Sequence, residues 1–390
     1  MFTYGVPGIR AGHVASLSQS TEWFAMSDAQ IAGISPWLQR LWDLGGTDLL
    51  LSAGSAPRIR VDGKLRPVDG APNLTGDQIN EIALPLLTDG QRAIFKEELD
   101  VDFAFSWLDR ARIRGNIFTE RGESALALRV IPARIPTYDD LGLPPACTWV
   151  ADQPRGFVLV TGPTGSGKST TLASIIDKIN ETRSAHILTI EDPVEYVHHH
   201  RMSAVSQREI GLDSPSFNRA LRSALREDPD VLLIGEMRDI DSIQIALTMA
   251  ETGHLVFGTL HTNDAPQAID RIIDVFPAWR QEQTRVQLAA SLSMILAQRL
   301  VPRIGGGMVA AFEVLIATNP VRNLIREGRS NQLANVMLTG SQEGMITLEY
   351  SLASLIYDGV ISYEDGMSVS AHPKDLVRSI EQTEILRSRA

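Results

Sequence analysis

Gly162, Gly167, Lys168 and Ser169 fall at the spacing G-x-x-x-x-G-K-[ST] inside VTGPTGSGKSTTLASII, with Gly165 as a further glycine in the loop. Phosphate oxygens need several backbone N–H groups converging at close range, and glycines let the chain bend and approach without a Cβ in the way. Gly162, Pro163, Thr164, Gly165, Ser166, Gly167, Lys168, Ser169 and Thr170 are therefore the expected contacts of a nucleoside triphosphate, ATP, with Mg²⁺. Lys168 would reach the β- and γ-phosphates, and the Ser169 hydroxyl would ligate the metal. Average residue usage makes a chance match to this pattern an event of roughly one chain in a hundred of this length.

A bound triphosphate does nothing until a water is oriented for in-line attack, Mg²⁺ is held and some group registers the departing phosphate. Three other polar clusters could supply these functions. HILTI runs into Glu191-Asp192-Pro193-Val194-Glu195, VLLI into Gly235-Glu236, and LVFGTL into His261-Thr262-Asn263, with His254 just before that last run. Four apolar residues before it make Glu236 the Walker B carboxylate, holding Mg²⁺ through water. Spacing alone does not separate Glu191 from Glu195. His254 and His261 lack a third ligand nearby, so a zinc site is not expected. His198-His199-His200 reads as a solvated surface turn.

The elements that must position these groups follow from periodicity. Phe157–Val160 is a β-prone run before the glycine loop, and Leu172, Ile175, Ile176 and Ile179 make a helical stripe after it. The helix N-terminus then faces the phosphates. Strands at 186–190, 231–234 and 255–260 alternate with helices, the pattern of an α/β domain with a mainly parallel sheet, from residue 156 to about 370. In such sheets ligands sit beyond the carboxyl ends of the strands. From Pro266 onward the pattern is mostly helical, and residues 371–390 form a charged tail.

Residues 37–133 read as a smaller α+β domain with a largely antiparallel sheet. It begins with a helix and a strand, then RIRVDGKLRPV, whose Asp62-Gly63 signals a hairpin. Thr75 and Gln78 form a capping box, and VDFAFSW, ARIRGNIF and ALALRVI add strands. Proline-rich residues 134–155 are expected to be a linker, and residues 1–36 an extension.

Bulk properties narrow the class. A chain of 390 residues, 44% hydrophobic, has room for two cores. It holds no apolar run long enough to span a bilayer and no secretory signal. A net charge of −11 argues against a sequence-independent grip on nucleic acid, so a RecA-like nucleic-acid translocase is the weaker alternative. The one cysteine, Cys147, reads as a small apolar residue and excludes a disulfide framework. A cytoplasmic location is expected.

With these residues assembled, LTIEDPVEYVHH resembles the Asp box, DPDVLLIGEMRD the Walker B segment and GHLVFGTLHTND the His box of the type II/IV secretion ATPases. The likeness runs from about Gly45 to Asp365. Within that superfamily SALREDPDVLLIGEMRD, AETGHLVFGTLHT and RNLIREG (Arg322–Gly328) resemble most the type IV pilus retraction ATPases. Assembly and secretion members commonly carry paired C-x-x-C knuckles, which a single cysteine cannot make. Leu50 stands where the family usually carries histidine.

The resemblance implies a RecA-like P-loop core, a PAS-like N-terminal domain and a homohexamer working as an ATP-hydrolysing motor. Such a motor would retract pili at the inner face of the cytoplasmic membrane. It would act on a platform protein and on pilin indirectly, in twitching motility and DNA uptake, without binding nucleic acid directly. It also implies Glu195 as general base, in preference to Glu191, with His261 sensing the γ-phosphate and His254 supporting the subunit contact. Arg114 and Arg129 occupy the strands that carry the family's arginine fingers, with Arg121 a third candidate.

Overall fold

The computed structural model describes residues 26–387 other than positions 62, 109 and 238. Of the expected N-terminal extension, residues 1–25 lie outside the described residues, as do residues 388–390 of the tail. Residues 26–36 already belong to the first domain, where Ile31 and Ile34 are buried in its core.

The first sheet is built from β1 (Asp48–Leu51), β2 (Arg58–Val61), β3 (Lys64–Pro67), β4 (Asp100–Trp107), β5 (Ala111–Glu120) and β6 (Glu123–Pro132). Its order is β3-β2-β1-β6-β5-β4, and every neighbouring pair is antiparallel. Period-two alternation sends Leu49, Leu51, Ile59, Phe103, Phe105, Ile113, Ile117, Leu126 and Leu128 into one core, shared with the helices Ser35–Asp43 and Gly76–Ala83. The expected hairpin joins β2 to β3, with Val61 opposite Lys64 and Gly63 at φ +74°; Asp62 is outside the described residues. Thr75 and Gln78 make the reciprocal cap, at 2.9 and 3.2 Å. The opposite face of the sheet carries Asp48, Arg112, Arg114 and Arg129.

The second sheet holds β7 (Gly156–Thr161), β8 (His186–Glu191), β9 (Ala204–Glu209), β10 (Val231–Ile234), β11 (Leu255–Leu260), β12 (Leu292–Pro302) and β13 (Met308–Ile316). Its order is β13-β12-β7-β11-β10-β8-β9, parallel throughout except for the antiparallel edge strand β13. Helices cover both faces. Lys168–Thr182 and Pro145–Ala151 pack on one, and Phe217–Ala224, Ile240–Glu251, Ala265–Asp274 and Ala278–Ser291 on the other. Both faces being covered explains why β7, β10 and β11 are buried at every position.

The segment after Pro266 is mostly helical as expected, but residues 292–316 interrupt it with the hairpin of β12 and β13. A strand buried on both sides shows a continuous apolar run, which periodicity cannot tell from a buried helix. Strand β9, AVSQRE, is a polar edge strand without a hydrophobic signature.

The proline-rich stretch 134–155 is folded, not an open connector. Prolines start the helix Pro145–Ala151, and Thr137 caps the helix Tyr138–Leu141. Cys147 and Val150 are fully buried there against the core under β7, and burial pushes the Cys147 thiol up to about 12. The RNLIREG stretch lies in and just after the helix Asn319–Arg326, which buries Val321 and Ile325. Its Arg322 donates to the carbonyls of Ala289 and Ala290, capping the helix Ala278–Ser291.

Candidate nucleotide-binding and catalytic site

The carboxyl ends of the parallel strands share one rim. Thr161 of β7 pairs with Leu260 of β11 and Ala297 of β12, and Ile234 of β10 pairs with Ile190 of β8 and Gly258 of β11. The residues that follow β7, β8, β10 and β11 therefore surround one spot. These are the glycine loop, Glu191 to Glu195, Gly235-Glu236 and His261.

Gly162, Gly165 and Gly167 all have positive φ, at 143°, 78° and 86°. Gly162 also needs the space. A Cβ there would meet the carbonyl oxygen of Gln298 at 2.3 Å and Ser166 Oγ at 2.7 Å, whereas one on Gly165 would meet nothing within 4 Å. The loop is thus pressed against β12 at its first residue and open at its crest, as a cradle for phosphate must be. Lys168, Ser169 and Thr170 form the first turn of the helix Lys168–Thr182. Lys168 Nζ donates to the loop's own carbonyls, Gly162 at 2.8 Å and Pro163 at 3.0 Å. Burial lowers the Lys168 pKa, while the charges of Glu236 and Glu195 oppose that shift. Both carboxylates are therefore electrostatic neighbours of this lysine.

Ser169 lines a small cavity with Glu191, Tyr196, His198, Gly235 and Thr259. Glu191 accepts hydrogen bonds from Thr189 Oγ1 at 2.7 Å and Gln207 Nε2 at 3.3 Å. Burial, aided by the Glu195 charge, pushes its carboxyl up to about 7. Glu195 is more exposed, and its Oε1 lies 4.0 Å from Arg114 NH1. Thr170 Oγ1 and Tyr196 OH, 3.1 Å apart, tie the helix start to the same loop. Glu236 Oε1 lies 3.1 Å from His261 Nε2, so the ends of β10 and β11 are bridged by side chains. A serine hydroxyl and carboxylates are hard oxygen donors of the kind Mg²⁺ takes.

Some expected residues lie elsewhere. His254 precedes β11 at the amino end of the strand, roughly 20 Å from His261 at about 3.3 Å per residue. It makes local contacts with Met249 O at 2.9 Å and Thr252 Oγ1 at 3.2 Å. A strand separates its two ends, so His254 is not a contact of the glycine loop in its own chain. Arg121 sits in the tight β5–β6 turn at φ 55°, lining a groove with Arg58, Ser52 and Ser124, away from the loop. Arg129 lies opposite Arg114 in register, and its Nε is 2.8 Å from Asp48 Oδ1. The histidine run is not a plain solvated turn. His198 is buried, with Nδ1 3.9 Å from Asp177, and His200 Nδ1 accepts from Val205 N at 2.9 Å.

The sequence reading passed over Gln298 on β12. It is buried, its Nε2 donates to the Ser166 carbonyl, and its Oε1 accepts from Thr171 Oγ1 at 2.8 Å. It braces the loop from the neighbouring strand. The only signal in sequence is an amide closing an apolar run, LSMILAQ.

A glycine loop between a central parallel strand and its helix, ringed by carboxylates and a histidine at the neighbouring strand ends, defines a P-loop nucleotide-binding α/β protein. Residues 115–338 match the family described as type II/IV secretion system protein. The chain is 47% identical over 331 residues to the Pseudomonas aeruginosa protein described as type IV pilus retractation ATPase PilT, covering 85% of this chain and 96% of that one. It is 49% identical over 310 residues to a Neisseria gonorrhoeae twitching motility protein, covering 79% of this chain and 82% of that one. Among solved structures, that of the pilus retraction motor PilT with bound ADP superposes with a TM-score of 0.81 at 46% identity, covering 88% of this chain and 99% of that chain. The chain belongs to the type II/IV secretion system protein family, and its fold is the N-terminal domain and RecA-like ATPase domain of those relatives.

Proposed function

We propose that this protein is a Mg²⁺-dependent ATPase whose homohexamer powers the retraction of type IV pili. The observation that carries the reading is near full-length similarity to a pilus retraction ATPase, supported by the gathering of the glycine loop, carboxylates and a histidine on one rim. The ring would sit in the cytoplasm at the inner face of the membrane and act on a platform protein, and through it on pilin. Among the described residues no helix is long and apolar enough to cross a membrane, so anchoring would come from that partner.

In this reading the loop N–H groups from Gly162 to Ser169 hold the β-phosphate. Lys168 exchanges the carbonyls of Gly162 and Pro163 for phosphate oxygens, a swap its half-buried position favours because the phosphates restore its charge partner. The Ser169 hydroxyl and, through water, Glu236 would hold Mg²⁺, which would supply charge neutralisation for the phosphates. Glu195 takes the proton from the attacking water. His261, bridged to Glu236, transmits loss of the γ-phosphate to two strands at once. Arg114 and Arg129 add positive charge when domains close, which makes hydrolysis and domain movement interdependent. His254 and Arg121, remote from their own chain's loop, would act at subunit contacts.

Two variants and one cell count test this. Lys168→Ala should abolish hydrolysis, and Glu195→Ala should bind ATP yet hydrolyse it slowly. Cells lacking the gene should carry more surface pili and lose surface movement, and Lys168→Ala should not complement them. Bald cells would make the motor an assembly device and end the retraction reading. Hydrolysis by Lys168→Ala at the wild-type rate would end the mechanism.

A further inference from the structure

Arg112 of β5 and Glu209, the last residue of β9, are 97 positions apart and meet at 3.1 Å. Their side chains are only 3% and 4% exposed. They join the N-terminal sheet to the edge of the ATPase sheet. Burying two opposite charges costs desolvation that their mutual attraction need not repay, so such a pair is weak evidence of stability by itself. Its other contacts give it a different task. Glu209 Oε2 accepts from the backbone N–H of Val194 at 3.0 Å, and Arg112 Nε donates to the Val194 carbonyl at 3.4 Å. Both backbone groups of the residue just before Glu195 are thus held by the pair. Two residues along β5, on the same face, Arg114 approaches the Glu195 carboxylate at 4.0 Å.

We propose that the Arg112–Glu209 pair is an interdomain latch, in which Arg112 positions Glu195 for water activation by fixing Val194 only while the N-terminal domain is seated on its own ATPase domain. The proposal rests on the reading of Glu195 as the base. A rotation of the N-terminal domain would withdraw Arg112 from Val194 and Arg114 from Glu195 together. Hydrolysis is then tied to domain position by one strand, β5. A pair that merely glued the domains would alter stability and leave turnover per folded molecule unchanged.

The test uses the full chain with Arg112→Gln, Arg112→Lys and the double variant Arg112→Met/Glu209→Leu. The double variant keeps the site filled and uncharged, so it should fold, while leaving Val194 without its partners. Steady-state ATP hydrolysis gives kcat and KM, and hydrogen exchange reads the Val194 amide directly. Small misplacements of a catalytic group can cost as much as a hundredfold in rate. Arg112→Gln and the double variant should therefore lose roughly ten- to a hundredfold in kcat, with KM within about twofold. Val194 should exchange about tenfold faster in both, and Arg112→Lys should fall between them and the wild type. Wild-type kcat in the double variant, or unchanged Val194 protection in Arg112→Gln, overturns the latch. Should Arg112→Gln fail to fold, the double variant decides alone. Full turnover in Glu195→Ala would remove the base reading, and Val194 exchange would still judge the latch: faster exchange upholds it and unchanged exchange refutes it.

Discussion

Replacing Gln298 by methionine isolates what the tertiary structure adds to the glycine loop. Methionine keeps the length of the side chain and loses both polar contacts. The Ser166 carbonyl and the Thr171 hydroxyl lose their partner. An unsatisfied buried polar group costs about 1–3 kcal/mol. The helical hydroxyl can turn back to a carbonyl one turn earlier and recover part of that, and the buried methionine returns about 1 kcal/mol. The net expected loss is about 2 kcal/mol. If it falls on the loop, the nucleotide must reorder what Gln298 held, and ADP affinity drops roughly thirtyfold, at 1.4 kcal/mol per tenfold. Calorimetric titration with ADP and urea unfolding of the full chain give both quantities. The double variant Gln298→Met/Thr171→Val separates the two contacts, because it removes the stranded hydroxyl and leaves the Ser166 carbonyl bare. It should regain about 1 kcal/mol of stability and no affinity. Affinity within twofold of wild type in Gln298→Met, or restored affinity in the double variant, would refute the bracing argument.

Gly162→Ala should abolish ADP binding in the same titration, since its Cβ would sit 2.3 Å from the Gln298 carbonyl oxygen at a φ of +143° that side chains avoid. Glu191→Gln should raise thermal stability most at high pH. The carboxyl is pushed from 4.5 to about 7 in the fold, so its contribution is full below pH 4.5 and lost as pH rises through 7. A permanently neutral glutamine escapes that loss. The gain in Tm, read by scanning fluorimetry, should be larger at pH 8 than at pH 5, and an equal gain at both would show that burial does not set this titration.

The core strands and the glycine loop were legible because each is local. VLLI and LVFGTL become β10 and β11 at the expected limits, and the capping box at Thr75 closes as its spacing requires. Other elements were not. The β12–β13 hairpin hides because a doubly covered strand has no alternation to display. The supposed linker hides because proline both breaks helices and begins them, and only packing around Cys147 and Val150 decides between the two. Strand β9 hides because an edge can stay polar.

The sequence by itself determined the glycine loop at Gly162–Thr170, with the spacing of a phosphate cradle, and which polar residues end the strands around it. A phosphate loop is a contiguous stretch whose glycines and lysine act through their own backbone and reach. Tertiary structure decided which of those residues meet. It brought Glu236 to His261 across two strands and left His254 at the far end of one of them. It set Gln298 against the loop and closed Arg112 on Glu209 beside Glu195. Such contacts depend on strand order and register, which are fixed by how two sheets bury their faces and carry no local signature.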